Sequence, residues 1–137
     1  MKVLVAEDEN FSRTILTAMI ERWGYEPIVV ENGEQALEAL QQEDAPNLIL
    51  LDWYMPGMSG LEVLQKVRNP KNLKLPYIIL LTANAEKEDV LQGINAGAND
   101  YVLKPYDRDD LKTRIDRGKH IVELQLSSMK QETSPEE

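Results

Sequence analysis

Short apolar runs alternate along the chain with stretches of helical periodicity. Residues 3–6 (Val-Leu-Val-Ala), 48–51 (Leu-Ile-Leu-Leu) and 78–81 (Ile-Ile-Leu-Leu) are apolar at every position. A strand wet on one face would alternate apolar with polar, so unbroken runs predict strands covered on both faces, as in a parallel sheet. Weaker strand candidates lie at 27–30 (Pro-Ile-Val-Val) and 100–103 (Asp-Tyr-Val-Leu). Between the runs, Phe11, Ile15, Met19 and Trp23 step by four and share one helical face, with Gly24 placed to end that helix. Ala36, Leu37 and Leu40 mark a second helix, and Leu61, Leu64 and Val67 a third that Asn69-Pro70 would close. Val90, Leu91 and Ile94 mark a fourth ahead of Gly97. Asp107 with Asp110 forms a capping pattern before a fifth helix bearing Leu111 and Ile115. Five strand–helix pairs in alternation predict an α/β, doubly wound, five-stranded parallel sheet with right-handed crossovers.

Helix formers continue from Arg117 to Met129, where Ile115, Val122 and Met129 are spaced by seven with Leu126 beside them. That is the spacing of a coiled-coil seam, with Gly118 interrupting it. The expected organisation is one compact domain over 1–117, a helical extension or linker over 118–130 and a disordered tail over 131–137, where the sequence turns to Gln-Glu-Thr-Ser-Pro-Glu-Glu.

Composition narrows the classes. A chain of 137 residues, 42% hydrophobic and 28% charged, suits one soluble globule with one core. No apolar run approaches the ~20 residues needed to cross a bilayer. The first strand turns acidic at Glu7, too soon for a signal peptide, so the cytoplasm is the default address. There is no cysteine and only one histidine, which argues against disulfide scaffolds and His- or Cys-based metal sites. The formal charge of −9 repels phosphate backbones, so direct nucleic-acid binding is not expected.

In open parallel sheets, ligands bind outside the carboxyl ends of the strands. After the first strand come Glu7, Asp8 and Glu9; the third ends at Asp52, the fourth at Thr82, and the fifth at Lys104-Pro105. Taken singly, an acid after a strand is ordinarily a loop or cap residue, and a lone Thr or Lys there is ordinarily structural. Four strands delivering complementary groups to one edge form a constellation that single residues do not. Carboxylates ~6 Å apart repel by roughly 3 kcal/mol per pair at an effective dielectric near 20. Such a cluster attracts a divalent cation, and an all-oxygen donor set suits Mg²⁺. Lys104 would neutralise a phosphoryl oxygen as a point charge and Thr82 would donate to another, which makes Asp52 a candidate nucleophile.

Val3-Leu-Val-Ala-Glu-Asp-Glu9, Leu50-Leu-Asp-Trp-Tyr-Met-Pro-Gly-Met-Ser-Gly60, Leu81-Thr-Ala83, Gly97-Ala-Asn-Asp-Tyr101 and Leu103-Lys-Pro105 together resemble the successive signatures of response-regulator receiver domains, in order and spacing, over residues 2 to about 117. The resemblance implies a sheet of order 2-1-3-4-5 and a two-component signalling role. It implies that Asp52 is the phosphoacceptor, and that Asp8, Asp52 and the Tyr54 backbone carbonyl ligate Mg²⁺, with Glu7 acting directly or through water. It further implies that Lys104 pairs with the phosphoryl group. Thr82 then swings toward it, and Tyr101 moves inward to remodel the face of the fourth helix, fifth strand and fifth helix. Tyr54 and Asn84 occupy positions that tune phosphoryl lifetime in that family. One position departs: the family commonly has Asp where this chain has Glu7, and the extra methylene shifts the carboxylate.

The implied partners are a histidine kinase or phosphotransfer protein as donor and an output domain or downstream protein as reader, with homodimerisation on activation; no membrane is involved. The run from Arg117 resembles linkers that join receivers to output domains, so of the two alternatives, a stand-alone receiver and the first domain of a longer protein, the second is favoured. The module would be regulatory, catalysing only its own phosphorylation and dephosphorylation. The alternative is a receiver-like interaction module that works without phosphorylation. Two others fit less well. A haloacid-dehalogenase-type phosphatase typically has Asp where Tyr54 stands, and a flavodoxin-like cofactor binder needs a phosphate cradle where Glu7-Asp8-Glu9 would repel phosphate. Trp23 is expected as a core anchor, Trp53 as a partly exposed neighbour of the site, and His120 at the surface.

Overall fold

The computed structural model describes residues 1–68, 76–83 and 86–132, the last four by backbone alone. Asn69-Pro70, Asn84 and residues 133–137 lie outside the described residues, as does the Met129 side chain. The order is β1 (Lys2–Ala6), α1 (Asn10–Arg22), β2 (Glu26–Val30), α2 (Gly33–Leu40), β3 (Leu48–Asp52), α3 (Gly60–Val67), β4 (Tyr77–Thr82), α4 (Lys87–Asn95), β5 (Asp100–Leu103) and α5 (Arg108–Glu132). All pairings are parallel, in the order β2-β1-β3-β4-β5. No helix of the described residues is long and apolar enough to cross a membrane.

Residue alternation splits each strand between two cores. Val3, Val5, Leu48, Leu50, Ile79, Leu81 and Val102 face the side covered by α1 and α5, where Leu16, Ile20, Leu111 and Ile115 meet them. Leu4, Ala6, Ile49, Leu51, Ile78 and Leu80 face the other, against Ala36 and Leu40 of α2 and Val63, Leu64 and Val67 of α3. Double coverage is what the unbroken apolar runs require: β3 and β4 are buried at every position. The two weak candidates are the edge strands β2 and β5, where Val29 and Leu103 remain exposed. Each has a single neighbour, so its sequence need not be apolar throughout.

Helix starts follow capping chemistry. Glu9, Asn32 and Asp107 accept from backbone N–H groups of the first turns of α1, α2 and α5, and Ser59 with Glu62 closes a reciprocal box on α3.

Five expectations are corrected. The Phe11–Ile15–Met19–Trp23 stripe is not the buried face of α1: Leu16 and Ile20 are fully buried, whereas Phe11 is 71% exposed. The stripe runs along the flank, where only Met19 and Trp23 touch the core edge. Likewise Leu91 and Ile94 of α4 are exposed, because α4 approaches the sheet through buried Gly93. A Cβ there would lie 2.8 Å from Leu80 Cδ1 and 3.2 Å from Trp53 Cζ3. Trp53 itself is buried under that glycine rather than partly exposed. Gly118 does not interrupt α5, which is continuous for 25 residues; it is buried, and a Cβ would meet Leu48 Cδ1 and Tyr77 Cδ1, each at 2.8 Å. Ile115 and Val122 point into this chain's own core, so their spacing reflects packing on the sheet and not a free seam. His120 is exposed, as expected.

Candidate functional site

Register builds the rim. Ala6 pairs with Leu51, Asp52 with Leu81 and Thr82 with Leu103, so the residues that leave the sheet next are neighbours across it. Backbone bonds fix the exits: Trp53 N–H donates to Leu81 O at 2.9 Å and Lys104 N–H to Thr82 O at 2.7 Å. Gly60 lets α3 begin against the phosphoacceptor candidate, since a Cβ there would fall 2.2 Å from Asp52 O.

The side chains converge. Glu7 is 1% exposed, Asp52 5% and Thr82 fully buried, while Asp8 stands exposed at the mouth. Lys104 Nζ donates to Glu7 Oε1 at 2.7 Å and to Asp52 Oδ2 at 3.1 Å. Glu7, Asp8 and Asp52 each offer an oxygen, and these lie within 4.8 Å of one another.

One ammonium among these carboxylates leaves the site over-acidic. Burial, then a hydrogen bond with Glu7, push the Asp52 carboxyl up to about 7, with Lys104 opposing them. Burial would raise Glu7 too, but the bonds from Asp52 and Lys104 outweigh it and hold Glu7 below the usual carboxylate range. Lys104 is held above its ordinary value: burial works against its charge, and the bond to Glu7 and the charges of Asp52 and Glu7 prevail. The arrangement is therefore a Glu7–Lys104 ion pair beside an Asp52 whose carboxyl is pushed toward its protonated form. A small hard cation with oxygen ligands fits this donor set and would relieve the repulsion that raises Asp52.

The remaining candidates surround it. Tyr101 is half-buried, and its ring meets Trp53 edge-on with centroids 6.5 Å apart. Burial raises its phenol, and a hydrogen bond with Thr82 opposes that shift, so the two proposed switch residues are in touch. The Tyr54 side chain is 57% exposed and stacks on Trp53 at 6.1 Å. Asn84 lies outside the described residues.

Two residues near the site escape a reading of the sequence. The half-buried phenol of Tyr106 is raised by burial and feels the charges of Lys104, Glu7 and Asp52. Arg13 reaches back from α1 to the carbonyls of Glu7 and Asp8. No local pattern marks either; both come near the site through the way α1 and the loop after β5 fold over the rim.

Comparison with known proteins agrees. The family model of the response regulator receiver domain matches residues 3–116. The chain is 38% identical over 115 residues to the phosphate regulon transcriptional regulatory protein PhoB of Rhizobium meliloti, covering 83% of this chain and 50% of that protein. It is 34% identical over 117 residues to chemotaxis protein CheY1 of Helicobacter pylori, covering 85% and 94%. Among solved structures, it is similar to the receiver domain of Francisella response regulator 1452 (TM-score 0.80, 27% identity, 88% and 98% covered). It is also similar to the receiver domain of a sensor histidine kinase from Pseudomonas aeruginosa, solved with a magnesium ion coordinated in the active-site cleft (TM-score 0.74, 33% identity, 85% and 94% covered). The chain spans about half the length of the PhoB relatives it matches.

Proposed function

The chain belongs to the response regulator receiver family, a family of regulatory modules in two-component signalling, and from that premise we propose that it is a phosphorylation-dependent switch whose phosphoacceptor is Asp52. The observation that carries the reading is the meeting of Asp52 with Glu7, Asp8 and Lys104 on one rim, within reach of a single bound group. A histidine kinase or phosphotransfer protein supplies the phosphoryl group. An Asp52 oxygen attacks phosphorus, the P–N bond to the donor imidazole breaks as the P–O bond forms, and the imidazole leaves with a proton.

Glu7, Asp8, Asp52 and the Tyr54 backbone carbonyl would hold Mg²⁺, Glu7 directly or through water, and the ion would offset the charge of the carboxylates and phosphoryl oxygens. Lys104 then turns from Asp52 to a phosphoryl oxygen, and Thr82, buried at the end of β4, donates to another. The Thr82–Tyr101 contact breaks as Thr82 moves. Tyr101 turns inward and the α4–β5–α5 face changes for an output domain or downstream protein, including a second copy of this chain. Tyr54 and Asn84, two residues beyond Asp52 and Thr82, set the lifetime; a shift in phosphoryl half-life in Tyr54→Ala supports this and an unchanged half-life contradicts it.

On this reading residues 1–117 carry the switch and 118–130 continue α5 toward the output, in a cytoplasmic protein that contacts neither membrane nor nucleic acid through this domain. The alternative, an interaction module indifferent to phosphorylation, draws on the closed Glu7–Lys104 pair. Fluoroberyllate with Mg²⁺ separates the two. A change in Trp53 emission, read in a Trp23→Phe background, supports the switch, and no change supports the module.

A further inference from the structure

We propose that Arg13 is a positioning residue for the metal site, its guanidinium fork setting the backbone from which Glu7 and Asp8 present their carboxylates; this rests on the Mg²⁺ reading of that site. Glu7 and Asp8 lie in the irregular stretch between the end of β1 at Ala6 and the start of α1 at Asn10. Glu7 N–H has a long bond to Val30 O at 3.3 Å. The carbonyls of both acidic residues face one nitrogen: Arg13 Nη1 donates to Glu7 O at 3.0 Å and to Asp8 O at 3.1 Å. Arg13 Nη2 anchors the other arm, to Asn10 Oδ1 and to Glu31 Oε1, the latter at 3.1 Å. The side chain is only 14% exposed.

Asp8 is exposed, so what aims its carboxylate is its backbone, and Arg13 holds that backbone from one side. Helix chemistry alone would not place a cation here: Arg13 stands near the positive end of α1, where the helix dipole disfavours it. The reach back over the helix start compensates with four acceptors for one mostly buried guanidinium. A lysine keeps the charge but cannot span two carbonyls and the Asn10–Glu31 side together. Partners that orient first ligands typically change metal affinity 10- to 100-fold when removed.

The test is calorimetric titration of the full chain with Mg²⁺ alone at pH 8, with thermal melts in chelator, for wild type, Arg13→Gln, Arg13→Lys and Glu31→Gln. The expected result is a Mg²⁺ Kd about tenfold weaker in Arg13→Gln, a smaller weakening in Arg13→Lys and, since Glu31 is a rim partner, little change in Glu31→Gln. Phosphorylation by acetyl phosphate then returns to the wild-type extent at saturating Mg²⁺. An Arg13→Gln that melts lower yet binds Mg²⁺ like wild type is merely structural and overturns the proposal. So does full recovery by Arg13→Lys, or an equal loss in Glu31→Gln. Should Arg13→Gln not fold, Arg13→Lys against wild type decides: an unchanged Kd overturns. Wild type failing to bind Mg²⁺ instead sinks the reading on which the inference rests.

Discussion

The Lys104 ammonium rests 3.1 Å from Asp52 Oδ2 and closer still, 2.7 Å, to Glu7 Oε1. A cation at the end of edge strand β5 is thus shared across the rim with carboxylates from β3 and β1, and the buried Glu7 takes the larger part. Of the two buried carboxyls, Asp52 is left with the smaller share of that charge. The nucleophile candidate is therefore also a carboxyl that burial and Glu7 push toward its protonated form, and whatever supplies positive charge there both frees its electrons and steadies the fold.

That imbalance gives stability a pH signature. Native Asp52, raised to about 7, holds a proton that the unfolded chain releases near pH 4. Metal-free stability therefore falls as pH rises through the window from about 4 to about 7. Glu7, held low, adds stability as pH climbs through the bottom of that window and opposes the fall there. Asp52→Asn in chelator is expected to be more stable than wild type by on the order of 1–2 kcal/mol at pH 8 and about equal at pH 5, measured by urea unfolding. A less stable mutant at pH 8 contradicts the assignment.

Asp8 behaves differently because it is exposed. Asp8→Asn leaves metal-free stability within about 0.5 kcal/mol of wild type, while its Mg²⁺ affinity drops about tenfold, on the scale of 1.4 kcal/mol per decade. Melts with and without Mg²⁺ show both: the metal-free curves overlay and the Mg²⁺-induced rise shrinks in the mutant.

Gly118→Ala separates a break from a packing contact. As an exposed helical position it would gain about 1 kcal/mol from helix propensity. Against Leu48 and Tyr77 at 2.8 Å, overpacking of about 1–3 kcal/mol outweighs that gain. The expected net loss is about 1 kcal/mol by chemical denaturation, and a stabilised mutant refutes the contact.

These residues also show what was legible beforehand. The three central strands declare themselves because burial on both faces permits only apolar residues, and a parallel sheet places everything after those strands on one edge. Glu7, Asp8, Asp52, Thr82 and Lys104 follow from that rule, and the structure brings them together. The helices were harder. In α1 two stripes compete, and nothing in Phe11 or Ile15 says that Leu16 and Ile20 turn inward. Gly118 looks like an interruption and proves, like Gly93, to be a point of close helix–sheet approach, because a missing side chain leaves no periodic signal. Arg13 and Tyr106 reach the site across loops, which spacing along a chain does not encode.

The most direct test of the switch is intact-mass spectrometry after incubation with acetyl phosphate, with and without Mg²⁺, beside Asp52→Asn. The account predicts one added phosphoryl group in the wild type, only with Mg²⁺, and none in the mutant. An adduct that persists in Asp52→Asn, or no adduct in wild type at saturating Mg²⁺, contradicts it.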